Sequence, residues 1–283
     1  MTRPGFRDLL EARWDGGHFL CVGLDPEAGR LPPHLRLEAE GSDAAATLAF
    51  CTAIVRATHD VACAFKPNAA FFEALGPDGA TVLAELTRRI REIAPEVPVI
   101  YDAKRGDIGS TNAGYVASAF NDLSADAITV HPYLGREALA PFLDRADKGV
   151  IVLCRTSNPG AGEFQDLEVG GRALYEIVAE RVAGAWNQHS NCGLVVGATY
   201  PDELARVRRL AGDLPILIPG IGAQGGDLGR TVTAGQDARG RGMIVSASRG
   251  IIYASAEADF ADAARHEAMR LDQEINRYRM AGR

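Results

Sequence analysis

No part of this 283-residue chain carries the run of about 18 apolar residues that a membrane-crossing helix needs. Excess positive charge is missing too. The formal net charge is −7 at pH 7, which argues against non-specific binding to nucleic acid or to an anionic membrane surface. Paired cysteines are also absent: Cys21, Cys51, Cys63, Cys154 and Cys192 stand singly, mostly inside apolar runs and never as C-x-x-C. That pattern fits reduced, buried thiols and excludes a disulfide frame or a cysteine zinc site. Met1 to Trp14 includes Asp8 and Glu11 and lacks the apolar core of an export signal. A cytoplasmic enzyme or binding protein is the expectation, with neither membrane nor nucleic acid as partner.

What the chain does have is apolar content, 47% of residues, enough for one large α/β domain or two small ones. Phe6 to Trp14 reads as a short amphipathic helix. Short apolar runs that read as strands follow at His18 to Asp25, Val61 to Asn68, the segment from Val99 through Asp102, Ala125 to Tyr133, Gly149 to Cys154, Cys192 to Thr199, Leu214 to Gly222 and Met243 to Ser248. Helical patterns separate them: Asp43 to about His59 with Ser42 as its cap, Gly76 to Ala94 with Leu83, Leu86, Ile90 and Ile93 at helical spacing, Thr111 to Phe120, Arg136 to Arg145, Gly171 to about His189, and Pro201 to Leu210. A short helix precedes the eighth strand, and Ile251 to Met280 is mostly helix. Glu27 to Gly41 is a polar, proline-containing loop longer than most. Eight such units without a linker predict a single-domain (β/α)8 TIM barrel over residues 1–283, with a short N-terminal helix and a C-terminal helical extension. A doubly wound open sheet is the alternative.

The third strand holds charges that a core strand should not have. Asp102 and Lys104 are two apart and share a face; Gly106 breaks the strand, and Asp107 lies three residues past the lysine. The expected result is an ammonium set between two carboxylates. Burying unpaired charge costs several kcal/mol, so the group is either a structural ion pair or has a task. The loops after strands seven and eight carry Gly220-Ile221-Gly222 and Ser248-Arg249-Gly250. Barrels often build a phosphate site there, from small residues that let backbone N–H groups approach and an arginine that grips the anion. Gathering the strand ends puts Asp25, Lys66, Asp102, Lys104, Ser157, Gln224 and Arg249 around one mouth, a site for a phosphorylated small molecule. A metal between Asp102 and Asp107 is disfavoured because Lys104 already takes the cation's place; no cofactor is expected.

Taken together, these runs resemble the orotidine 5′-phosphate decarboxylase family, which converts orotidine monophosphate to uridine monophosphate. The resemblance rests on Asp102-x-Lys104-x-x-Asp107-Ile108-Gly109-Ser110-Thr111, Gly23-Leu24-Asp25-Pro26, Phe65-Lys66-Pro67, Thr156-Ser157-Asn158-Pro159-Gly160, Pro219-Gly220-Ile221-Gly222-Ala223-Gln224 and Ser248-Arg249-Gly250. The long loop after Asp25 and the form of the Thr156 motif are similar to the longer bacterial branch, type 2. The resemblance implies Lys104 as proton donor to the carbon that loses carbon dioxide, with Asp102 beside the substrate carboxylate, orienting the lysine. It implies that Asp107, Ile108 and Thr111 reach the neighbouring site of a homodimer. Asp25 and Lys66 would bind ribose hydroxyls and Ser157 the pyrimidine edge. Gln224 and Arg249, with Gly220, Gly222 and Gly250, would hold the phosphate, while Pro219 walls an apolar pocket for the departing carboxylate.

Two other functions compete: a metal-dependent sugar-phosphate decarboxylase or hexulose-phosphate synthase-like barrel, and a non-catalytic barrel that senses a nucleotide. His131-Pro132 at the end of strand four is expected to be structural or to line the mouth rather than to be catalytic, Arg88, Arg89 and Arg91 to form a solvated face, and Gly225-Gly226-Asp227 to form a lid over the phosphate.

Overall fold

The computed structural model describes residues 3–221 and 226–281. Eight parallel strands form its centre: β1 (Leu20–Leu24), β2 (Ala62–Pro67), β3 (Ile100–Arg105), β4 (Ala127–Val130), β5 (Gly149–Arg155), β6 (Cys192–Val196), β7 (Ile216–Pro219) and β8 (Met243–Ala247). They pair in the order β2-β1-β8-β7-β6-β5-β4-β3. The remaining seam, between β2 and β3, is closed by bridges from Phe65 to Val99 and from Asn68 to Asp102, and the Phe65 N–H donates to the Pro98 carbonyl at 3.0 Å. The ring is therefore a barrel, not an open sheet. Helices cover its outside while side chains fill its inside, so β1, β2, β6 and β8 are buried along their whole length. This double burial explains why the strands read as near-continuous apolar runs.

Several local devices act as the residues suggest. Ser42 Oγ accepts from the Ala45 N–H at 3.2 Å and starts the helix Asp43–Thr58. Pro201 occupies the first turn of Pro201–Ala211. Along Gly79–Ile93, Val82, Leu83, Leu86 and Ile90 make one buried stripe. The N-terminal helix, Phe6–Asp15, covers the barrel end opposite the strand C-termini. Its fully enclosed Trp14 donates its indole N–H to the Met243 carbonyl at 2.8 Å, so no buried donor is left open.

Two segments gain detail, and two expectations, the helix from Gly171 and the solvated Arg91, need correction. The Glu27 to Gly41 loop contains a helical turn at Ala28–Arg30 and a helix at Pro33–Glu38. Helix does not begin at Gly171: Glu168–Val169 and Arg172–Ala173 first form an antiparallel hairpin, and the helix is Leu174–Arg181, continued as a wider π-turn over Val182–Trp186. Gly170 and Gly171 have φ of 61° and 76°; a two-residue turn with both central residues in the left-handed region joins hairpin strands with the right twist. Ile251 to Met280 divides into Arg249–Ile252 and Phe260–Ala281. Finally, Arg91 is not solvated. It is half-buried and folds onto the Ser124 carbonyl and Asp126, whereas Arg88 and Arg89 pair with Glu85 on their own helix.

All five cysteines are buried and unpaired. Burial pushes the Cys21 and Cys192 thiols up to about 12, which removes the thiolate a nucleophile would need.

Candidate active site

Each charged residue singled out in the sequence lies at or just past a strand's C-terminal end. Asp25 follows β1, Lys66 is the next-to-last residue of β2, Asp102 and Lys104 belong to β3, and Ser157 follows β5. Pro219 ends β7 with Gly220 next, and Arg249 and Gly250 follow β8. All parallel strands point the same way, so these positions meet at one mouth of the barrel. Gly222 and Gln224 lie outside the described residues, as does Gly225.

The electrostatic centre is Asp102, only 8% exposed. Its Oδ1 lies 2.6 Å from Lys104 Nζ and its Oδ2 lies 2.8 Å from Lys66 Nζ. Burial pushes the Asp102 carboxyl up, but the Lys66 and Lys104 ammonium charges outweigh it and hold the group well below the usual carboxylate range. Burial pulls Lys66 down, yet Asp102 and Asp25 overcome this and raise it above the ordinary lysine value. The expected order of charges is thus reversed. A carboxylate sits between two ammoniums, because closure of the barrel brings β2 alongside β3.

The third strand is bent to achieve this. Its ladder to β4 loses register between Tyr101 and Arg105, and Lys104 has φ of 48°. A lysine in the left-handed region is strained by roughly 1–3 kcal/mol and persists only when its surroundings hold it. Thr129 supplies part of that hold. Its Oγ accepts from the Lys104 backbone N–H at 3.0 Å and donates to Asp102 Oδ1 at 2.9 Å, from a fully enclosed position on β4. In the sequence Thr129 is marked only by a hydroxyl among the apolar residues of Ala-Ile-Thr-Val, and it is not among the expected site residues. His131 supports the next turn. Its Nε2 is 2.8 Å from the Gly106 carbonyl, and a Cβ on Gly106, whose φ is 153°, would come within 2.8 Å of the same ring. This matches the structural role expected of His131.

Asp107 does not join the cluster. No ion pair links it to Lys104 among the described residues; its Oδ1 instead accepts from the Ile108 N–H at 2.6 Å. Asn112, fully buried, locks that turn by accepting from the Asp107 N–H at 2.9 Å and donating to the Asp107 and Ala138 carbonyls, both at 2.6 Å. Ile108 is 60% exposed and Thr111 is exposed as well.

Beside the cluster, Asp25, Lys66, Pro219, Gly220, Arg249 and Gly250 line one pocket. Lys66 therefore touches both the Asp102 pair and the pocket holding the arginine. Asp25 Oδ1 is buried without a hydrogen-bond partner, and such an acceptor is available to a ligand hydroxyl. Gly220 turns the chain with φ of 106°, and the Gly226 N–H donates to the Gly220 carbonyl at 3.3 Å. Asp227, assigned to a lid, caps the helix Leu228–Gly235 by accepting from the Arg230 N–H at 2.9 Å. Ser157 packs on Gly197, where a Cβ would meet the Ser157 backbone nitrogen at 2.8 Å. Behind it, the buried Arg155 bonds the Thr156 carbonyl at 2.9 Å, pairs with Asp166 at 2.9 Å and lies 3.9 Å over the Tyr200 ring.

Such a site can hold a fixed cation, Lys104, at the open mouth. It can offer a carboxylate acceptor to a polyol and grip an anion with Arg249. Both Asp102 oxygens already face ammonium groups, and no cluster of three or more metal-ligating side chains occurs among the described residues.

Residues 18–264 match the model of the orotidine 5′-phosphate decarboxylase / HUMPS family. Orotidine 5′-phosphate decarboxylase of Azoarcus sp. (strain BH72) is 52% identical over 275 residues, covering 97% of this chain and 99% of that protein. The protein of the same name from Ralstonia pickettii (strain 12J) is 50% identical with the same coverage. Among solved structures, Leishmania donovani OMP decarboxylase superposes with a TM-score of 0.84 at 45% identity, over 98% of this chain and 99% of that one.

Proposed function

The chain belongs to the orotidine 5′-phosphate decarboxylase / HUMPS family, and from that premise we propose how its residues convert orotidine 5′-monophosphate to uridine 5′-monophosphate and carbon dioxide. Loss of the carboxylate leaves an electron pair on a ring carbon that no ring orbital delocalises. Lys104 meets that charge as a fixed ammonium and delivers the proton. A cation already in place where charge develops requires no reorganisation at the moment of reaction. Asp102 orients Lys104, and its negative charge faces the substrate carboxylate. Thr129 and Lys66 hold Asp102 in turn.

The remaining roles divide between the two ends of the substrate. Asp25 and Lys66 bind ribose hydroxyls, Ser157 meets the pyrimidine edge, and Pro219 walls the carboxylate's pocket. Arg249, with Gly220, Gly222, Gln224 and Gly250, holds the phosphate. Proton donation alone typically contributes about 10²–10⁴-fold; binding energy at the remote phosphate supplies more by closing the site around the ring. The enzyme serves pyrimidine nucleotide synthesis in the cytoplasm.

The active unit is a homodimer in which Asp107, Ile108 and Thr111 extend to the neighbouring site. Asp107 turned from its own Lys104 and an exposed Ile108 beside it support this arrangement.

The observation that carries the proposal is the Lys66–Asp102–Lys104 array beside an arginine-bearing pocket, in a chain half identical to named decarboxylases. The family also includes hexulose-phosphate synthases, so the test must separate the two. Purified protein is mixed with orotidine monophosphate and excess chelator while substrate absorbance is followed. Conversion to uridine monophosphate is expected. Turnover of a hexulose phosphate only, abolished by chelator, would contradict it.

A further inference from the structure

The turn Asp25-Pro26-Glu27 leaves β1 without a ladder to hold it. Pro26 has no N–H, so Glu27 is the first residue after Asp25 whose backbone can donate. That donor is taken by a side chain 226 residues away: the Glu27 N–H donates to Tyr253 Oη at 2.6 Å. The same hydroxyl is turned toward the Asp25 carbonyl, a long contact at 3.5 Å. The ring beneath it has two neighbours: the Arg30 guanidinium lies 3.9 Å from its centroid, and Phe50 of the helix Asp43–Thr58 stacks at 5.7 Å. Tyr253 itself directly follows the short helix Arg249–Ile252. It thus ties the loop that begins with Asp25 to the segment that begins with Arg249.

Resting on the function proposed above, we infer that Tyr253 is a positioning residue whose hydroxyl holds the Asp25 carboxylate at the ribose hydroxyls while Arg249 holds the phosphate. The same contacts give the Glu27 to Gly41 insertion a task, since Arg30 on it pins the ring. Asp25 depends on such support because its Oδ1 has no partner within the protein. With that oxygen unbonded, the carboxylate relies on its backbone for its place beside Lys66, and Tyr253 holds that backbone through the Glu27 N–H. Burial raises the Tyr253 hydroxyl to about 12, so it remains a protonated donor and acceptor throughout the working range.

The test is Tyr253→Phe, which keeps the ring, the Phe50 stack and the Arg30 contact and removes only the hydroxyl. Affinities for uridine monophosphate and its 2′,3′-dideoxy analogue are measured for wild type and variant, alongside kcat and KM. A melting temperature checks that the variant is folded. In wild type the ribose hydroxyls favour uridine monophosphate; in the variant that preference should shrink by about tenfold, the worth of one good hydrogen bond. KM should rise with kcat nearly unchanged. A variant that keeps the full wild-type preference overturns the inference, whether its binding is unchanged or uniformly weaker. A wild type that neither binds uridine monophosphate nor turns over orotidine monophosphate overturns the functional proposal instead, and this inference with it.

Discussion

Lys66 at the end of β2 places its ammonium 2.8 Å from Asp102 Oδ2 on β3, and both side chains are more than nine-tenths enclosed. The strands that carry them meet only across the barrel's closing seam, so the pair reports on the completed ring as well as on the site. Burial raises Asp102 and lowers Lys66, but the opposite charges win: the folded carboxyl lies below its unfolded value and the folded lysine above its own. The carboxylate's stabilisation is present above about pH 4 and is lost as pH falls through the folded value. The lysine's is present below about pH 10 and is lost as pH rises through its folded value. The pair therefore adds no limb to the pH profile of kcat/KM between about pH 5 and 9. Asp102→Asn removes the ion-pair partner of the buried Lys66, leaving only the more weakly acting Asp25 charge, and should cost on the order of 3 kcal/mol near neutrality. The gap from wild type should narrow below pH 4, as chemical denaturation across pH would reveal.

Thr129→Val keeps the shape and removes the hydroxyl that joins Lys104 to Asp102. The loss of a hydrogen bond to a charged group is worth about 1.5–3 kcal/mol. Under the proposed mechanism that bond orients Asp102 and Lys104 for catalysis, so kcat should fall by roughly 10–100-fold with KM little changed. Steady-state kinetics with a melting curve would separate this from a general loss of fold.

Gly197→Ala drives a Cβ against the Ser157 backbone, an approach of 2.8 Å to its nitrogen. The strand-five loop must shift, so KM for orotidine monophosphate should rise. Replacing Ser157 itself by Ala should have the smaller effect on melting temperature, because it removes no backbone contact.

At the barrel's opposite end, burial lifts the carboxyl of Asp272 to about 6, and its Oδ1 has no partner. With a folded pKa above the unfolded value of about 3.9, stability falls as pH rises from about 4 to 6. Asp272→Asn should therefore raise the melting temperature at pH 7–8 and change it little near pH 4. Activity should be unaffected at either pH, since the residue is on the C-terminal helix away from the mouth.

The barrel and most of its rim were legible because strand ends carry charge where a buried run should stop: Asp25, Lys66, Asp102 and Arg249 each break an apolar pattern at the same relative point. The pairings were not legible, since they depend on which strands become neighbours. Spacing along β3 suggested Asp107 as the second partner of Lys104, whereas ring closure delivers Lys66 to the far side of Asp102. Thr129 escaped notice because a β-branched hydroxyl is ordinary in a strand. The hairpin at Glu168–Ala173 was hidden by its length, two residues on each side of Gly170-Gly171. Tyr253 carried no pattern at all, because its partner is a backbone amide made needy by a distant proline.

The central claim is that the Lys104 ammonium neutralises the carbanion and protonates it. The most direct measurement is the single-turnover rate of Lys104→Ala on orotidine monophosphate, with uridine monophosphate affinity as the check on binding. The account predicts a rate lower by at least about 10³-fold, with product affinity changed only a few-fold. A variant that decarboxylates within about tenfold of wild type would contradict it, since general-acid catalysis alone should contribute more.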